Sequence, residues 1–117
     1  MRSGHSARYW SAHRHLSSEI PVRQFIPLLR SGTWSDRNKA GNLFVSLTAT
    51  RDDAVLATLR AEALDSLLEM GRWRSKGHAM AARVVLARMA GFDDQRLGRA
   101  LSPGGNVDEI LNAFEPR

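Results

Sequence analysis

The chain has 117 residues, 43% of them hydrophobic and 25% charged, the size and composition of a single globular domain with a sizeable core. Cysteine is absent, which excludes disulfides, thiolate metal sites and thiol catalysis, and the longest apolar runs are far too short to cross a bilayer. The net charge of +5 invites an anionic partner, but residues 1–39 hold seven basic and two acidic residues, whereas residues 40–78 and 79–117 each hold five of both. The excess belongs to the N-terminal third, and a neutral body weakens any nucleic-acid reading based on charge alone.

Residues 1–19 are rich in Ser, His and Arg, carry Tyr9 and Trp10, and show no sustained period. They read as a basic N-terminal arm ahead of a folded domain over residues 20–117. The arm has no apolar run of the signal-peptide kind, which favours a cytoplasmic setting. Pro21 stands where a helix can begin, and Val22, Phe25, Ile26, Leu28 and Leu29 give that helix an apolar face before Ser31-Gly32. Pro27, inside the stretch, predicts a kink or a shifted start. A second helix is signalled by Thr33 or Ser35 as cap and Asp36 in the first turn. Its Ala40, Leu43, Phe44 and Leu47 share one face, with Lys39, Asn42 and Ser46 on the other side.

Residues 48–53 read as a turn. From Asp53 to about Trp73 the spacing of Val55, Leu56, Leu59, Ala63, Leu67 and Met70 predicts one long helix, or two that meet near Arg60. Gly71 and the loop 74–77 end it. A further helix is expected from His78 to Ala90, with Ala82, Val85, Leu86 and Met89 inward and Gly91 as its stop. Two weaker helices follow, Asp94–Leu101 and Val107–Phe114, separated by Ser102-Pro103-Gly104-Gly105. No stretch alternates well enough to argue for a strand, so the fold class is all-α.

Shifting the chain against itself by 39 residues brings Leu28, Leu29, Gly32, Trp34, Ala40, Val45 and Leu47 onto Leu67, Leu68, Gly71, Trp73, Ala79, Val84 and Leu86. Seven identities in twenty positions compare with roughly one or two from residue frequencies. Both copies read helix, Leu-Leu-x-x-Gly-x-Trp, short loop, helix. Two antiparallel helices per period of about 40 residues resemble the HEAT and armadillo-like repeats. Leu28-Leu29, the Asp36-Arg37 pair at the turn, and Ala40 and Leu43 carry that likeness best.

The resemblance covers about residues 20–91. It implies an α-α superhelix of two hairpins with the last two helices as a cap, and a non-catalytic protein-binding role. It further implies that Asp36 and Arg37 tie neighbouring repeats together. Ser75-Lys76 stand at those places in the second copy, which predicts an incomplete ladder. Trp34 and Trp73, each just after a helix-ending Gly, are expected to plug the corners of their own hairpins.

Candidate sites are few. His5, His13, His15 and Glu19 fit no metal-ligand spacing, so no metal or cofactor is expected. Asp52-Asp53 and Asp93-Asp94 each precede a helix, where capping accounts for them better than paired carboxylate chemistry does. No nucleophile motif frames the Ser, His and Asp residues, and no catalytic residue is assigned. The segment 71–78 places Arg72, Arg74 and Lys76 before a helix that His78 opens, an anion-binding composition that equally describes a solvated loop. In HEAT-like arrays the second helices line the concave surface. Here the 39-residue shift matches Lys39 and Asn42 with His78 and Ala81, and Arg83 follows, giving a strip for a peptide or protein. Protein binding is therefore the leading expectation. Nucleic-acid binding through the Arg-rich first third with Tyr9 and Trp10 is the alternative, and self-association through apolar end surfaces is a third.

Overall fold

The computed structural model describes residues 22–115, and every regular element among them is helical. A helical turn over 22–25 runs straight into a 3-10 segment, Ile26–Arg30, with Pro27 in its first turn. The tighter winding answers the missing N–H of proline with a change of helix type instead of a sharp kink. Then come α1 (Trp34–Leu47), α2 (Asp53–Glu62), α3 (Leu64–Gly71), α4 (Lys76–Met89), α5 (Asp94–Leu101) and α6 (Asp108–Asn112). No helix among the described residues is long and apolar enough to cross a membrane.

The helix ends follow local chemistry. Thr33 occupies the N-cap of α1 but makes no side-chain cap. Ser31 holds that corner instead: its Oγ accepts from the Thr33 amide at 3.0 Å and donates to Asp36 Oδ2 at 2.7 Å. Asp52 caps α2 by accepting from the amides of Ala54 and Val55, and Asp93 caps α5 by accepting from that of Arg96. The long stretch from Asp53 is two helices. They meet at Ala63, three residues beyond the expected Arg60, where φ of −131° interrupts the winding.

α4 starts two residues earlier than His78 and ends in a Schellman motif, with Gly91 at φ +87°. There the Phe92 amide donates to Ala87 O and the Gly91 amide to Arg88 O, which satisfies the terminal carbonyls. Gly71 is not a stop of this kind. A Cβ there would lie 2.9 Å from Leu86 Cδ1 and 3.2 Å from Leu111 Cδ2, so the residue serves close packing.

One core runs through the molecule, and α4 is its axis, packed against α1, α2, α3, α5 and α6. Leu29, Phe44, Leu59, Leu67, Met70, Leu86 and Ile110 are its large, fully buried side chains. Small residues let the helices close on one another: a Cβ on Gly41 of α1 would lie 3.0 Å from the Ala81 Cβ of α4. The 3-10 segment packs on α3, and α1 packs on α4. α1 and α4 are each 14 residues long, but their bounds are related by a shift of 42, three more than the shift relating identical residues. Three residues are most of one helical turn, so both registers place Ala40 opposite a buried alanine, Ala79 or Ala82.

Candidate functional site

The two repeat-related tryptophans do not plug separate corners. Trp34 opens α1, Trp73 lies in the loop ahead of α4, and their ring centroids are 5.6 Å apart with planes tilted by 59°. His78 stands edge-on to Trp34 at 4.4 Å, and the Arg37 guanidinium lies 5.4 Å from the Trp73 ring centroid. Such tilted aromatic pairs contribute about 0.5–1.5 kcal/mol beyond the area they bury. Each ring is half-buried, and together they join the start of α1 to the loop ahead of α4.

Arg37 makes the same junction polar. Its Nε donates to Ser31 O at 2.6 Å within the first unit, and its Nη1 lies 3.4 Å from Glu69 Oε1 in the second. That Nη1 is buried and makes no well-aligned hydrogen bond, so the Glu69 contact acts through charge. Asp36, by contrast, works inside its own unit through Ser31.

The arginines explain much of the cationic composition. Arg30, Arg37, Arg51, Arg60, Arg83 and Arg88 all donate to backbone carbonyls, most of them at the open ends of helices. Arg88 of α4 donates to Val45 O at 2.6 Å and Thr48 Oγ1 at 3.0 Å, closing the C-terminus of α1. Burial pushes its guanidinium below the ordinary range, Arg51 nearby adds to that, and Asp94 opposes it. Arg51 donates to Phe92 O and pairs with Asp94 at 2.7 Å, which ties the α1–α2 turn to the start of α5. Arg23 pairs with Glu62, and Arg96 with Glu109.

The residues expected to bind a partner divide on this map. Arg83 is 8% exposed, and its Nε and Nη2 donate to Gly71 O and Trp73 O, each at 2.9 Å, so it closes the end of α3 and leaves the strip. The 39-residue shift carried the signal for this, since it matches Arg83 with the fully buried Phe44. Lys39 and Asn42 are exposed on α1, and Asn42 donates to Asn38 at 3.3 Å. Ala81 is turned onto Gly41, so α1 and α4 close on each other where an open strip was expected. Arg72, Arg74, Lys76 and His78 are all exposed along the loop and first turn of α4, beside the tryptophan junction.

Of the 13 lysines and arginines among residues 22–115, only Lys39, Arg72, Arg74, Lys76 and Arg99 hold neither a carbonyl nor a carboxylate of the described residues. Three of these five lie within residues 72–76. An open cleft of about 360 Å³ is lined by Arg72 together with Val107, Leu111, Asp108 and Glu115. Its mixed charge bounds the basic patch on that side. The described residues contain no group of three His, Asp or Glu side chains placed to hold a metal, and the His5, His13, His15 and Glu19 set lies outside them. Comparison with protein-family models, with curated proteins and with solved structures gives no match.

Proposed function

We propose that the chain is a non-catalytic protein-interaction module of HEAT-like type, two helical units closed by α5 and α6 at the C-terminal end. The observation that carries this reading is the packing of like on like, the 3-10 segment on α3 and α1 on α4, with Trp34 against Trp73 at the seam. Stacking of hairpins through equivalent helices is how such repeats bury faces that one hairpin leaves open. Arg37, reaching from the first unit to Glu69 and Trp73 of the second, supports the reading because the likeness assigns a tie between repeats to that position. The rigid helical surface so formed suits recognition by shape and charge.

Affinity capture with the full chain from a lysate of its source cells, run in parallel with and without nuclease, is expected to retain the same protein partner in both arms. Recovery of nucleic acid with no protein, lost steeply as salt rises, would replace this function with the nucleic-acid alternative.

A further inference from the structure

The cations at 72–76 form no ion pair among the described residues, in a region of the sequence that is otherwise poor in acid. No acidic residue occurs between Glu69 and Asp93, a run that holds Arg72, Arg74, Lys76, Arg83 and Arg88. Arg83 and Arg88 are spent inside the fold on carbonyl groups. Arg72, Arg74 and Lys76 remain exposed, and no carboxylate of the described residues lies within ion-pair distance of them. α4 has no acidic residue in its first turn, so its positive end adds to their charge where helices usually carry Asp or Glu. The N-terminal arm is itself net basic, with Arg2, Arg8 and Arg14 against Glu19.

A second observation sits on the same surface. Met80, 36% exposed, is the one large hydrophobic side chain exposed among the described residues. It follows Lys76 by four residues and precedes the half-exposed Val84 by four, so the three form one outward stripe of α4. Gly77 and Ala81 belong to the neighbouring stripe, and Ala81 faces α1. The surface thus offers three cations leading into a flexible thioether, the kind of side chain that adapts to an apolar anchor.

We propose that this surface docks an acidic peptide segment of a partner protein. Its carboxylates face Arg72, Arg74 and Lys76, and one apolar side chain seats on Met80 and Val84. The proposal rests on the interaction function above and names the chemistry of the partner. Charge decides for a carboxylate-bearing peptide over a nucleic-acid strand. The described residues total 13 basic against 11 acidic, too even for the extended basic track along which a nucleic-acid backbone lies. The Trp34 and Trp73 rings are engaged with each other and with His78 and Arg37, not offered as free stacking platforms.

The test uses the full chain and a short fluorescein-labelled glutamate-rich peptide with one central leucine, read by anisotropy. Saturable binding is expected, abolished when the glutamates become glutamines. The triple variant R72E/R74E/K76E should weaken it by about tenfold or more, and Met80→Ser should weaken it by a few-fold. Arg99→Glu, the same charge reversal on the exposed face of α5, should leave it unchanged. Circular dichroism reports whether each variant folds. Amide chemical-shift mapping on the unaltered chain settles the location whatever the variants do, with the largest shifts expected between Arg72 and Val84. No binding, equal binding by the glutamine peptide, shifts centred elsewhere, or tighter binding of a single-stranded oligonucleotide at these residues would each overturn the proposal. A captured protein partner retained equally by the triple variant would leave the interaction function standing and remove this surface from it.

Discussion

At the scale of single residues the molecule is organised by arginine. Six guanidiniums reach backbone carbonyl oxygens, most of them ones that helix ends leave open, and such charge-assisted bonds are about twice as strong as neutral ones. Arg51 shows the cost and the return together. It is the one non-glycine among the described residues with positive φ, at 58°, a conformation that costs an ordinary residue about 1–2 kcal/mol. The bonds to Phe92 O and Asp94 hold it there. Arg51→Ala is expected to lose those bonds and keep the strain, whereas Arg51→Gly loses the bonds and sheds the strain. Chemical denaturation should therefore find the glycine variant more stable than the alanine variant by about 1 kcal/mol. Equal stability of the two would show that the turn relaxes without the arginine.

At the scale of elements, the decisive contact is the crossing of α1 and α4. Alanine in place of a helical glycine gains about 1 kcal/mol where space is free. At Gly41 the new methyl would meet the Ala81 Cβ at 3.0 Å, and neither group can rotate away, so the helices must part at a cost of about 1–3 kcal/mol. Gly41→Ala is expected to lower the thermal midpoint. Gly98→Ala, in α5 with nothing within 4 Å, is expected to raise it. A raised midpoint for both would mean that α1 and α4 are not in close contact.

Much of this level was legible in the sequence. The caps Asp52 and Asp93, the stop at Gly91 and the bounds of α5 follow from short-range rules acting on neighbouring residues. The division of the long stretch into two helices was one of two readings, placed near Arg60, but its position at Ala63 was not legible, because alanine and leucine favour helix on both sides. Nor were the arginine closures: Arg51 and Arg88 find carbonyls some 40 residues away, and no local pattern encodes a partner at that distance. At the candidate site, composition singled out Arg72, Arg74 and Lys76, whereas the concave strip taken from the repeat drew in Arg83, because its place beside the strip does not separate a surface cation from one that closes a helix.

At the scale of the whole molecule, the two tryptophans that the 39-residue shift pairs lie against each other. Trp34, Trp73, His78 and Arg37 cluster where the start of α1 meets the loop ahead of α4, and one core includes residues from Val22 to Ile110. A shared core makes each unit's stability depend on its neighbour. The interaction surface proposed on α4 depends on that coupling too, since the loop 72–76 is anchored on the seam by Trp73. Urea unfolding of a Trp10→Phe chain, followed in parallel by helical circular dichroism and by the fluorescence of Trp34 and Trp73, tests the coupling most directly. The two curves should superimpose with one midpoint and one slope. A fluorescence transition that runs ahead of the loss of helix would mean that the units part at the tryptophans while still folded, and would contradict a single stacked core.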